Sequence, residues 1–252
     1  MMFSTTSAEE LELRQRASQR GLSGNPVLNI ILSRLPDKEF ETLRPYLEYQ
    51  EFSSHRILNE PDQPVGSIYF LNSGLASLEI PTSEGTSIEV GVVGREGFVG
   101  LPLLCGVERT LLRTVVQIRG TGYRLRGELL HRILPGTPNL QLRMRHSALL
   151  QGMQVAQIAA CNRLHDLEQR LARWLLAAAD RVGLEISITQ DRLAPMLGTG
   201  RASLSVVASR IRKSRLIEYA RGTIRILDLP RLESLSCECY ENVRRFRAEL
   251  GL

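Results

Sequence analysis

The chain has 252 residues, 43% apolar and 23% charged, the usual mixture of a globular protein with core enough for one large domain or two average ones. It contains no run of about 18 uncharged apolar residues, which excludes a membrane-spanning helix, and its opening MMFSTTSAEELELRQRASQR turns charged too early for a secretory signal, so a cytoplasmic protein is expected. The net charge is +5, and of 32 cations only Lys38 and Lys213 are lysines, leaving arginine, the better bidentate partner of phosphates and guanine edges, as the dominant base.

Residues 1–25 are polar and read as a mobile arm with a helical turn or two around Ala8–Ala17. An amphipathic stretch follows from Asn29 to Leu47, with Leu32, Leu35, Phe40, Leu43 and Leu47 as its buried side. From Phe52 to about Leu125 the period becomes two: Leu75, Ser77 and Glu79 alternate with Ala76, Leu78 and Ile80, and Ile88, Val90 and Val92 with Ser87, Glu89 and Gly91. Turn signals at Pro61–Pro64, Asn72–Gly74, Ser83–Gly85 and Gly94–Gly97 separate short strands, and Ser83-Glu84-Gly85-Thr86 reads as a hairpin tip. Residues 26–135 are therefore expected to form an antiparallel β sandwich or barrel.

The character changes at Pro135-Gly136-Thr137-Pro138. From Asn139 to Asn162 the chain holds one glycine and no proline, and Leu142, His146, Leu149, Met153, Ala156 and Ala160 recur at alternating spacings of four and three. That is a coiled-coil seam of about three heptads, so residues 136–164 read as a long dimerisation helix paired with a second copy of the chain. Asp166 with Gln169 forms a capping-box pattern that starts a new helix faced by Leu167, Leu171, Trp174, Leu175 and Ala178, which puts a hinge near Asn162–Asp166.

Residues 165–252 then spell out a winged helix. Ile186-Ser187-Ile188 is a short strand, Thr189 an N-cap for a helix over Gln190–Leu197 in which Pro195 shortens the last turn, and Gly198-Thr199-Gly200 a tight turn. A second helix runs from Arg201 to Ser214 with Leu204, Val207, Ala208 and Ile211 inward; Leu216–Ala220 and Thr223–Leu227 form a hairpin at Arg221-Gly222. Between residues 192 and 225 stand eight cations (Arg192, Arg201, Arg210, Arg212, Lys213, Arg215, Arg221, Arg225) against Glu218 alone. This +7 exceeds the total of +5, so the rest of the chain sums to −2 and the basic excess sits where a duplex would lie.

Taken together, IYFLNSGLASLEI and VVGREGFVG in the β part, RLARWLLAAADRV (170–182) and ITQDRLAPMLGTGRASLSVVASRIRKSRLIEYARGTIRILD (188–228) resemble the Crp–Fnr superfamily of bacterial transcription regulators over roughly residues 28–245. The resemblance implies an α+β fold: an antiparallel, jelly-roll-like β-roll of the cyclic-nucleotide-binding type, a long dimer helix and a C-terminal winged helix-turn-helix. It implies a homodimer on near-palindromic double-stranded DNA, with RNA polymerase as a further partner. The recognition helix would be Arg201–Ser214, with Arg201 at the family's guanine-reading position, Ala202 where a glutamate is usual and Val206 where an arginine is frequent. Thr189, Gln190, Thr199, Gly200, Ser203, Ser205, Arg210 and Arg221 are the further expected DNA contacts.

The sensor half departs from the cyclic-nucleotide binders. Gly100 is followed by Leu101 and Pro102, so the ribose-binding acid is missing; Arg109-Thr110 is a weak imitation of the phosphate-binding pair; and Val155 and Ala156, at the nucleobase positions of the long helix, cannot hydrogen-bond a base. The expected effector is therefore a small molecule other than cyclic AMP, or none. No cysteine precedes Cys105, which excludes an N-terminal four-thiolate iron–sulfur cluster, and Cys237-Glu238-Cys239 reads as packing, so no metal or cofactor is expected. Two alternatives remain: a redox- or haem-sensing regulator using Cys105, Cys161, Cys237 or Cys239, or His55, His131, His146 or His165, and a β-roll enzyme with an accessory winged helix. For the second, the strands over 52–125 offer no His-x-His, no His-Glu cluster and no paired carboxylates at a useful spacing.

Overall fold

Residues 21, 24–83 and 85–252 are described by a computed structural model; the expected N-terminal arm, apart from its last residues, and Glu84 at the expected hairpin tip lie outside the described residues. Pro36, which has no N–H to give to a helix interior, splits the first amphipathic stretch into α1 (Ile30–Ser33) and α2 (Asp37–Leu43). The expected side is still buried: Leu32 in α1, Phe40 and Leu43 in α2, and Leu35 and Leu47 in the segments that follow each.

Eight strands follow: β1 (Glu48–Phe52), β2 (Ile57–Asn59), β3 (Ser67–Leu71), β4 (Leu75–Pro81), β5 (Ser87–Val93), β6 (Phe98–Val99), β7 (Arg113–Ile118) and β8 (Gly120–Arg126). They make two four-stranded antiparallel sheets in the orders β1-β8-β3-β6 and β2-β7-β4-β5. Phe52, Leu71, Ala76, Leu78, Val93, Val99 and Val116 form a buried apolar cluster drawn from both sheets. A short helix, α3 (Leu101–Leu104), links β6 to β7, and α4 (Gly127–Ile133) leaves β8.

The two-residue alternation expected along β4 is only half expressed. Leu75, Ser77 and Glu79 are buried like Ala76 and Leu78, and only the end of the strand, Ile80 and Pro81, reaches solvent. The cause is tertiary. Leu75, Val92 and Ile118 share a core with Leu171, Trp174 and Leu175 of a later helix, while Ser77, Glu79 and Gln117 satisfy one another: the Gln117 amide donates to Ser77 Oγ (2.8 Å) and Glu79 Oε1 (2.6 Å), and the Ser77 hydroxyl donates to Glu79 Oε1 (2.7 Å).

The long helix is α5 (Pro138–Leu164), 27 residues. Leu140, Met144, Leu150, Gln154 and Ile158 are buried; Gln151 donates to the Phe98 carbonyl (2.9 Å), and Gln154 Oε1 accepts from the Val92 N–H (3.4 Å). Helix α6 (Leu167–Val182) starts at the expected capping box: Asp166 accepts from the Gln169 N–H (2.9 Å) and the Gln169 side chain from the Asp166 N–H (3.2 Å). After it come β9 (Glu185–Ser187), α7 (Gln190–Met196), α8 (Arg201–Lys213), β10 (Ile217–Ala220) and β11 (Thr223–Ile226), the strands pairing in the order β10-β11-β9. Finally α9 (Leu229–Leu235) packs on α6, and α10 (Cys239–Glu249) returns along α5 and α6.

Two buried polar contacts fasten α6 to the roll. Trp174 Nε1 donates to Glu89 Oε1 (2.9 Å), and Arg181 pairs with Glu96 (2.6 Å). Burial alone would raise the Glu96 carboxyl, but Arg181 and Arg247 hold it below the usual carboxylate range.

Candidate nucleic-acid interface

The sequence of α8 places one face inward and one outward. Leu204, Val207, Ala208 and Ile211, at i, i+3, i+4 and i+7, are buried against a core shared with Leu193, Ile217 and Ile224. The same spacing leaves Arg201, Ala202, Ser203, Ser205 and Val206 exposed on the far side, Val206 at 61%. The turn before α8 is tight: Gly198 has φ of 60°, the Thr199 N–H donates to the Ala194 carbonyl (3.0 Å), and Gly200 is the N-cap. At the other end Arg210, Arg212 and Lys213 occupy the last turn, where cations also suit the helix dipole. The wing closes at Arg221-Gly222, both with positive φ (49° and 80°), as a type I′ hairpin turn requires, and it carries the exposed Arg221 outward.

Three features of this surface were not legible in the sequence. Arg201 Nη1 lies 3.1 Å from Asp191 Oδ1 of α7, so an acid on the first helix of the pair orients the leading arginine of the second; both are exposed, and the pair adds little stability. Arg192 meets His55 Nδ1 of the roll and is thereby turned toward the sensor. Thr189 occupies the N-cap position of α7 without making a side-chain cap bond, and Gln190 beside it is half-buried. No local pattern signals contacts between residues as far apart as 55 and 192.

The expected effector residues are not gathered into one site. Gly100 has φ of 104°, and a Cβ there would lie 2.6 Å from the Ser67 carbonyl oxygen, so glycine is needed for close backbone packing. Leu101 packs on the roll core, Arg109 is exposed, and Thr110 Oγ1 accepts from the Leu112 N–H (3.0 Å) inside its own turn. Val155 and Ala156 are exposed, and the helix meets the roll through Gln151, Gln154 and Ile158.

In the expected seam of α5, Leu142, Leu149 and Met153 are exposed (51%, 45% and 47%), as are Ala156 and Ala160. His146 differs: it is half-buried, with Nδ1 3.2 Å from the Leu250 carbonyl oxygen beyond α10. Apolar residues thus run down both faces of α5, one against its own roll and one outward.

Cys237 and Cys239, expected to serve packing alone, are buried, but beside Cys161 and His165; the four side chains bring their sulfur and nitrogen atoms within 4.8 Å of one another. The Cys161 and Cys237 sulfurs are 3.5 Å apart, and the hydrogen bond between them draws Cys161 down to about 5 and pushes Cys237 up. Cys105 is exposed elsewhere.

A two-sheet β-roll, a long helix and a winged helix-turn-helix presenting a basic helix and wing define the architecture. Residues 169–235 match the family model described as the Crp-like helix-turn-helix domain. Among solved structures, the chain is similar to FixK2 from Bradyrhizobium japonicum (12% identity, TM-score 0.65, covering 76% of this chain and 98% of that one). It is also similar to the c-di-GMP-responsive global regulator CLP from Xanthomonas campestris (15%, 0.63, 77% and 100%). A third likeness is to a CRP-family transcriptional regulator from Thermus thermophilus (20%, 0.61, 74% and 96%). No curated protein matches the sequence significantly. The chain has the fold of the Crp–Fnr superfamily, and its C-terminal module is a Crp-like helix-turn-helix domain. Among the described residues no helix is long and apolar enough to cross a membrane.

Proposed function

We propose that this chain is a homodimeric, sequence-specific DNA-binding transcription regulator acting in the cytoplasm, without catalytic activity of its own. The observation that carries the reading is the outer face of α8: Arg201, Ala202, Ser205 and Val206 exposed at its N-terminal end, flanked by Arg210, Arg212, Lys213 and the wing-tip Arg221. Arg201 reads a guanine through a bidentate bond, Ala202 and Val206 meet thymine methyl groups, and Thr189, Gln190, Thr199, the Gly200 N–H, Ser203, Ser205, Arg210 and Arg221 hold phosphates or base edges. Arg192 joins them once it leaves His55.

Two copies pair through Leu142, Leu149, Met153, Ala156 and Ala160, which sets the recognition helices about 34 Å apart on a near-palindromic site. RNA polymerase is the expected macromolecular partner on DNA. The roll takes no cyclic AMP, since Leu101 and Pro102 follow Gly100 where a ribose-binding acid would stand, and any effector is a different small molecule. Selection of DNA from a random pool tests the reading. The wild type is expected to enrich an inverted repeat with one guanine fixed in each half, and Arg201→Ala to lose about 1–3 kcal/mol of discrimination at that guanine. Enrichment of the same sequence by the variant would remove α8 from the reading role.

A further inference from the structure

We propose that Cys161, His165, Cys237 and Cys239 form a tetrahedral site for a single thiophilic divalent cation, with Zn²⁺ as the resident ion. Three cysteines and one histidine are a common donor set for structural zinc, which prefers soft thiolate and imidazole ligands in four-coordination. The separations fit one ion. With Zn–S of about 2.3 Å and Zn–N of about 2.0–2.1 Å, the edges of such a tetrahedron are about 3.5–3.8 Å. Here Cys161 Sγ and Cys237 Sγ are 3.5 Å apart, Cys239 Sγ and His165 Nδ1 are 3.6 Å apart, and all four donor atoms fall within 4.8 Å. This set is too tight to span a cluster of several irons.

The surroundings are arranged as a metal site needs them. His165 turns Nδ1 toward the sulfurs while Nε2 lies 3.2 Å from the Glu238 carboxylate, which fixes the tautomer that leaves the Nδ1 lone pair free. The Gln157 amide donates to Cys239 Sγ (3.1 Å), a bond that favours thiolate. Three thiolates and one imidazole around a divalent cation leave one net negative charge. The buried Arg173, whose Nε has no hydrogen-bond partner, supplies the counter-charge from the same small cavity that Cys239 lines. On binding, the thiol protons pass to solvent and the metal exchanges water for the four donors.

The ligands come from three places in the fold. Cys161 is in the last turn of α5, His165 is the residue that ends it, and Cys237 and Cys239 enter and begin α10. An ion held there pins α10 to the end of the long helix, next to the capping box where the DNA-binding module starts.

The test uses the full chain, purified without a histidine tag from zinc-supplemented medium, with metal content measured by mass spectrometry. One zinc per chain is expected, retained by Cys105→Ser and lost from Cys161→Ser and Cys239→Ser. Glu238→Gln should keep the site but weaken it about 10- to 100-fold in a chelator competition. Replacement by Co²⁺ should give the intense visible bands of tetrahedral cobalt and thiolate charge transfer in the wild type, a readout that stands even if the cysteine variants fail to fold. Metal-free wild type that takes up Co²⁺ only with the pale octahedral spectrum would overturn the site. So would a brown iron–sulfur chromophore, or a Cys161–Cys237 disulfide that persists under reducing purification.

Discussion

Among single residues, the most consequential group outside the exposed face of α8 is Glu89. Its carboxyl is buried beside Trp174, Oε2 has no hydrogen-bond partner, and burial pushes it up to about 8 against the opposing pull of Arg173 and the Trp174 N–H. The folded protein therefore keeps a proton that the unfolded chain, near the ordinary 4.5, gives up. The stabilisation from this group is complete below about pH 4.5 and is lost as pH rises toward 8, at no more than about 1.4 kcal/mol per pH unit. Urea titrations at pH 6 and pH 9 should show the wild type weakening with pH, and Glu89→Gln should flatten that slope; a variant with the same slope would place the titration elsewhere. Arg201 was legible in the sequence because its position follows from a local run, TGRASLSVVASRIRK. Asp191, His55 and Glu89 were not, because their roles depend on partners brought close only by the fold.

At the scale of elements, α5 shows what periodicity can and cannot reveal. The seam spacing identified the outward stripe, and the opposite stripe of Leu140, Met144, Leu150 and Ile158 fixes the helix to its own roll. The two faces predict different outcomes. Leu149→Glu with Met153→Glu should convert the dimer to a monomer in sedimentation with an unchanged circular dichroism spectrum. Met144→Ala should leave the dimer intact and cost about 2–5 kcal/mol of stability. His146, read into the seam by spacing alone, belongs to the contact with the chain end at Leu250. At the break between α5 and α6, Asp166→Ala removes a complete capping box and should cost about 1 kcal/mol in chemical denaturation. The Asp166–Gln169 capping box, the Arg221-Gly222 turn and the strands of the wing were readable because each is a local device; the Thr189 cap bond expected on the same grounds is not made. The alternation in β4 was misread because docking of α6 buries its outer side, which no two-residue pattern records.

At the scale of the whole molecule, the charge distribution and the docking describe one object: a near-neutral roll and long helix carrying a strongly basic module fastened through Trp174–Glu89 and Arg181–Glu96. On the proposed function, phosphate contacts made by that module would set the salt dependence of DNA binding. Arg210→Ala and Arg221→Ala should each lower the slope of log K against log salt by about 1 while leaving base preference unchanged. Whether paired copies of α8 read successive major grooves is settled by hydroxyl-radical footprinting of the wild type on a selected site. Two protected patches on one face of the duplex, centred about 10 base pairs apart and both weakened by Arg201→Ala, are the predicted result. A single patch, or protection indifferent to Arg201, would contradict it.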